Sequence, residues 1–160
     1  MRIAGILQSS TVDGIGIRDV IFLQGCEHHC PGCHNPKTWN TKGGEETDIQ
    51  RIVDMFESSI HDVTLSGGEP LLQYDEIIDL MKRINEEQNK RFWLYTGFRY
   101  EEIPPYMLSE LSKYVDVLVD GRFEESNKDP KLHFRGSSNQ RLIDLPRSVE
   151  KGRVILWEDW

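Results

Sequence analysis

The chain has 160 residues, of which 38% are hydrophobic and 29% charged, and its formal net charge is −8. That length suits one domain, able to bury roughly 70% of its unfolded surface, so a metal is not needed merely to fold it. The acidic balance counts against a nucleic-acid duplex or an anionic membrane surface as the main partner, since both require clustered Lys and Arg. No apolar stretch approaches the ~20 residues of a membrane span, and Met1 to Gln8 turns polar too soon for a secretory signal, so a soluble protein is expected.

Arg18 to Gln24 reads as a buried strand. A helix is predicted to open at Thr47, with Ile49, Ile52, Val53 and Phe56 spaced on one face and Thr47 and Gln50 as a capping box. Asp62 to Ser66 is the next short strand. A second helix follows from about Asp75 to Glu87, with Ile77, Leu80, Met81 and Ile84 on its apolar side. Arg91 to Tyr95 is a strand, in which Trp93 and Tyr95 alternate with Phe92 and Leu94. Pro104-Pro105 starts a third helix, and Tyr114 to Val119 gives a fourth strand. The order βαβαβαβ implies an α/β fold with a mostly parallel sheet and right-handed crossovers. Four strands are too few for a closed eight-stranded barrel, so the expectation is one domain over residues 1–160 folded as an open partial (β/α) barrel with helices outside.

Cys26, Cys30 and Cys33 are the only cysteines, directly after the first predicted strand. An odd number argues against a disulfide framework, so reduced thiols and a cytoplasmic location are expected. Three thiolates within eight residues suit one metal centre but leave a fourth tetrahedral position to something else. Redox-active thiols are one reading, and two others stand ahead of it. One is a zinc site completed by His28, His29 or His34. The other is a cubane iron–sulfur cluster with one iron open to a small molecule.

Beyond the cysteine loop, Gly67-Gly68-Glu69-Pro70, Thr96-Gly97 and Asp120-Gly121 each follow a predicted parallel strand. All four loops therefore lie at carboxyl ends, where α/β proteins place their sites, and should meet in one pocket. Paired glycines let backbone carbonyl and amide groups approach the ammonium and carboxylate of an amino acid; equally, Gly67 and Gly68 simply turn the chain. Asp120 offers an acceptor to a ligand or caps the turn at Gly121.

The cysteine spacing of three and two, the glycine-glycine-acid-proline loop and the βα order resemble the radical S-adenosylmethionine enzymes. Within them, Asp13-Gly14-Ile15-Gly16-Ile17-Arg18, Cys33-His34-Asn35-Pro36-Lys37-Thr38-Trp39, Tyr95-Thr96-Gly97, Val117-Leu118-Val119-Asp120-Gly121-Arg122-Phe123 and Arg135-Gly136-Ser137-Ser138-Asn139-Gln140-Arg141 are similar to the glycyl-radical activases of anaerobic ribonucleoside-triphosphate reductases. The resemblance implies a [4Fe-4S] cluster held by Cys26, Cys30 and Cys33, with S-adenosylmethionine chelated at the open iron. It further implies reductive cleavage to methionine and a 5′-deoxyadenosyl radical, which abstracts hydrogen from a glycine of the reductase's catalytic subunit. A small electron donor such as a flavodoxin or ferredoxin would supply the electron.

By the same resemblance Gly32, Cys33 and His34 contact the nucleoside side of the cofactor and Gly68 its methionine end. Glu69 braces the loop or reaches the ammonium, Asp120 is a further cofactor contact, and Trp39 and Asn35 pin the cluster loop. The pattern departs from the family at Ile15, where many relatives have proline, and at Gly32, which offers no stacking side chain before the third cysteine. His28 and His29 are expected on the loop's surface. Arg135, Asn139, Gln140 and Arg141 suit a partner-docking or cofactor-edge surface. At the end, Val154 to Trp157 suits one more strand, and Trp157 and Trp160 a contact with the partner. Two other functions fit the same residues: a small radical enzyme acting on a free metabolite, of the deazaguanine-precursor synthase type, and a zinc-stabilised binding module.

Overall fold

The computed structural model describes residues 1–158, and its centre is one seven-stranded mixed sheet. In chain order the elements are β1 (Arg2–Ser10), β2 (Arg18–Leu23), β3 (Glu45–Glu46), α1 (Ile49–Met55), β4 (Asp62–Gly67), α2 (Tyr74–Gln88), β5 (Phe92–Tyr95), α3 (Pro105–Leu111), β6 (Val115–Asp120), β7 (Arg141–Asp144) and α4 (Leu145–Lys151). The spatial order is β3-β1-β2-β4-β5-β6-β7. The four predicted strands β2, β4, β5 and β6 lie side by side and parallel. Around them, β1 and β7 run antiparallel to β2 and β6, and β3 antiparallel to β1. The sheet is thus less uniformly parallel than the predicted strand order implies.

Side chains alternate across the sheet as the pleat requires. Ile21, Leu23, Val63, Leu65, Phe92, Leu94 and Ile143 face one way and pack with Ile52, Val53 and Phe56 of the α1 segment, Ile77, Leu80, Met81 and Ile84 of α2, and Leu108 and Leu111 of α3. The intervening Trp93, Val117, Val119 and Leu142 face the other way and form a smaller cluster with Tyr95, Phe134 and Trp157. Trp93 meets Phe134 and Trp157 edge-on, at 5.3 and 5.1 Å between ring centroids. Buried Arg18 crosses this second face, donating from Nε to Thr64 Oγ1 at 2.8 Å and lying over the Trp93 ring.

Two local expectations are corrected. Helix α1 is capped by Asp48, whose carboxylate accepts from the Arg51 amide at 3.3 Å; Thr47 precedes the cap, and Gln50 turns to Asp54 instead of closing a capping box. The segment from 154 to 157 forms only a bridge, Ile143 with Leu156, tied by Asp144 N to Ile155 O and Trp157 N to Leu142 O. The strand in this region is β7, and Trp160 lies outside the described residues. Among the described residues no helix is long and apolar enough to cross a membrane.

Candidate iron–sulfur and cofactor site

At the carboxyl ends of the parallel strands the chain surrounds a cavity of about 750 Å³. Its wall takes Cys26, Cys30 and Cys33 from the loop after β2, Gly67 and Gly68 after β4, Thr96 and Gly97 after β5, and Gly121 and Arg122 after β6. All four loops contribute because each parallel strand delivers its chain to the same edge of the sheet. The floor includes Phe22, Ser66 and Tyr95, which alternate away from the helices. Tyr95 donates its hydroxyl to Phe134 O at 2.6 Å, and burial pushes its pKa up, so it stays a phenol.

The cysteine loop has no regular structure of its own and is fastened at several points. Gly25 N donates to Thr38 O at 2.7 Å and Cys26 N to Trp39 O at 3.1 Å. Gln24 Nε2 donates to Lys37 O and Asn40 O, and Thr38 Oγ1 to Asn35 O. The Trp39 indole stacks on His29 at 4.6 Å. Trp39 and Asn35 therefore hold the loop from its far side.

Each sulfur has a backbone donor. The amides of His28 and His29 serve Cys26, that of Phe123 serves Cys30, and Asn35 N lies 3.5 Å from Cys33 Sγ. Burial nevertheless pushes the free Cys26 and Cys30 thiols up, so these two thiolates need a metal to hold them at neutral pH. Amide donors aimed at sulfur are the outer-shell contacts of iron–sulfur clusters. Among the described residues, no three His, Cys, Asp or Glu side chains converge on a single point as ligands of one ion do. A cubane asks for something different: three sulfurs, each on its own iron. The donor set fits that group.

Gly67 has φ 97°, and a β-carbon there would stand 2.5 Å from the Leu23 amide. At Gly68 a β-carbon would run into the Gly25 carbonyl. These glycines bring the loop against the end of β2, where Gly68 N donates to Leu23 O at 2.9 Å and Glu69 N to Gly25 O at 2.7 Å. The amides of Gly68 and Glu69 are thus spent inside the protein, which leaves carbonyl groups as what this loop can offer a ligand. Glu69 is 1% exposed, and its carboxylate accepts from Leu71 N, Thr96 Oγ1, Gly97 N and His28. Bracing is the part of the Glu69 reading that this geometry carries.

Cys33 and His34 line the cavity, with the exposed His34 ring 5.2 Å from Phe123. Gly32 is exposed at φ 76°, beside the Glu125 carboxylate. Asp120 stands apart: it is 1% exposed and outside the cavity wall, bound to Arg141 through both oxygens at 3.0 and 2.6 Å and to Tyr100 N at 2.7 Å. Arg135 and Gln140 line the cavity, whereas Arg141 is engaged with Asp120 and Glu101, and Asn139 donates to Arg122 O.

The chain matches the 4Fe-4S single cluster domain family over residues 12–143. It is 39% identical over 143 residues to the anaerobic ribonucleoside-triphosphate reductase-activating protein of Salmonella typhi, covering 84% of this chain and 92% of that one. The proteins of the same name from Vibrio cholerae and Haemophilus influenzae are 36% and 35% identical, over 81% and 82% of this chain and 88% and 90% of theirs. The chain belongs to this family of activating proteins.

Membership identifies the chain as a 4Fe-4S cluster domain, and the cysteine loop is the only place the sequence offers such a cluster thiolate ligands. The structure corrects the expectation for one residue of that loop. His28, expected on the surface, has a side chain only 8% exposed and lies 2.7 Å from Glu69. The signal present in the sequence is its position, two residues from each of two cysteines.

Proposed function

We propose that this protein activates an anaerobic ribonucleoside-triphosphate reductase by reductive cleavage of S-adenosylmethionine, giving a 5′-deoxyadenosyl radical that takes hydrogen from a glycine α-carbon of the reductase. A [4Fe-4S] cluster on Cys26, Cys30 and Cys33 would supply the electron, received from a flavodoxin- or ferredoxin-type donor, and an open iron to bind the amino and carboxylate groups of S-adenosylmethionine. The sheet, on this reading, is the open partial barrel of the radical S-adenosylmethionine enzymes.

The observation that carries the proposal is the single cavity in which the three cysteines, the Gly67-Gly68 loop and the loops after β5 and β6 share one wall. The protein's own part is positional. Gly67 and Gly68 let their loop lie against the end of β2 beside the cysteines, and Cys33 and His34 line the part of the cavity that this reading gives to the nucleoside. Phe22, Tyr95 and Phe134 provide an apolar floor that limits water around a reactive radical.

The test is anaerobic reconstitution followed by dithionite reduction and electron paramagnetic resonance, with and without S-adenosylmethionine. The expected result is a reduced-cluster signal that changes with the cofactor, formation of 5′-deoxyadenosine, and a glycyl radical doublet when the reductase is added. A colourless protein retaining one zinc per chain, or a cluster indifferent to S-adenosylmethionine, would overturn the proposal.

A further inference from the structure

Between Cys26 and Cys30 one side chain turns inward without being a ligand. His28 Nε2 lies 2.7 Å from Glu69 Oε1, and Arg122 Nε donates to His28 Nδ1 at 3.2 Å. A guanidinium only donates, so Nδ1 is the bare nitrogen and the ring proton sits on Nε2, directed at Glu69. The ring also meets Phe98 edge-on at 4.7 Å. Its anchor is rigid: Glu69 is 1% exposed, with Gly97 N at 2.7 Å and Thr96 Oγ1 at 2.9 Å on the same oxygen and Leu71 N at 3.0 Å on the other. The ring forms the wall between the main cavity and a second of about 200 Å³. Meanwhile the backbone amide of the same residue faces the Cys26 sulfur.

We propose that His28 is a positioning residue for the cluster: its ring, latched to Glu69, fixes the Cys26–Cys30 segment against the Gly67-Gly68 loop and keeps the His28 amide on the Cys26 sulfur. The inference rests on the cluster ligation proposed above. Its physical content is that the Cys26–Cys30 stretch, whose other fastenings lie at the ends of the loop, is held at its middle by a hydrogen bond to a buried carboxylate belonging to another strand's loop. The distance between cluster and cofactor site is thereby set by a side chain of the cavity wall that is not itself one of the three cysteine ligands.

Glutamine and asparagine separate the ring's two contacts. A Gln amide reaches the place of Nε2 and restores the bond to Glu69, whereas an Asn amide reaches only the place of Nδ1. Gly97→Ala gives an independent perturbation, because its β-carbon would stand 2.5 Å from His28 Cδ2 and displace the ring while both hydrogen-bonding groups remain. On the anaerobically reconstituted full chain, the readouts are iron and sulfide content, the cluster's midpoint potential, and the S-adenosylmethionine concentration that half-completes the change in the resonance signal.

Loss of an amide hydrogen bond to a cluster sulfur makes reduction harder. His28→Asn, His28→Ala and Gly97→Ala should therefore shift the potential to more negative values and raise the half-saturating cofactor concentration several-fold. His28→Gln should return both towards wild type. If Gln and Asn behave alike, whether both normal or both impaired, the latch is overturned, and this pair decides even where the Ala variant fails to fold. A wild-type chain without a cluster overturns the proposed function and the latch together. A wild-type cluster responsive to the cofactor, with potentials indifferent to position 28, removes the latch alone.

Discussion

Glu69 and Asp120 are both buried carboxylates at strand ends, yet their surroundings assign them to different tasks. Glu69 accepts from two backbone amides, a hydroxyl and an imidazole contributed by the loops of three strands. Glu69→Gln replaces one acceptor oxygen with a donor, leaving buried N–H groups unpaired at a cost of about 1–3 kcal/mol. A lowered urea midpoint with an unchanged slope is expected, together with poorer iron retention. Asp120 instead holds Arg141, whose pKa is raised first by the hydrogen bond to Asp120 and then by that to Glu101. Asp120→Asn should lower stability by a similar ~1–3 kcal/mol while leaving the half-saturating concentration of S-adenosylmethionine unchanged, because the side chain does not reach the cavity. A large rise in that concentration would return Asp120 to the cofactor.

Short elements depend on their ends. Helix α1 has only seven residues, and Asp48 supplies its one side-chain cap. Asp48→Ala should destabilise the protein by about 1 kcal/mol in urea unfolding, whereas Thr47→Ala, outside the helix, should leave the cap intact. The strands β2, β4, β5 and β6 and helix α2 were readable because their burial follows a simple period: both sheet faces are covered in the strands, and one apolar stripe is buried in α2. Strand β1 was not, since register shifts after Ile3 and Leu7 break its alternation. Helix α4 did carry signals: Asp144 as cap, Pro146 in the first turn and Gly152 at φ 68° after its last residue. It went unread because the helix buries only Leu145 and Ser148, so no apolar stripe joins those signals. In the site, the cysteines and the glycine loop declared themselves through spacing. The inward turn of His28 did not, because it depends on Glu69 and Gly97, which the fold brings from more than forty residues away.

For the whole molecule, the response to acid follows from carboxylates that the fold keeps ionised. At the end of the sheet remote from the cavity, Asp19 is fully buried, which alone would raise its pKa. The Ser59 hydroxyl, the Ser9 amide and His61 outweigh that burial and hold it below the ordinary carboxylate value. Nearer the cavity edge, Glu101 is depressed mainly by its hydrogen bond from Arg141, and Glu102 mainly by the Arg99 amide. In each case the unfolded chain binds a proton at a higher pH than the folded one. The stabilisation is therefore complete above the unfolded value of about 4 and is lost as pH falls through the lower folded value. The urea midpoint of the cluster-free protein should accordingly hold between pH 7 and pH 5 and fall steeply towards pH 3. Asp19→Asn should be less stable than wild type at pH 7, and the gap should narrow as the wild-type carboxylate takes up its proton. A gap that stays constant down to pH 3 would mean that Asp19 acts through its shape and hydrogen-bond geometry, with its charge contributing nothing.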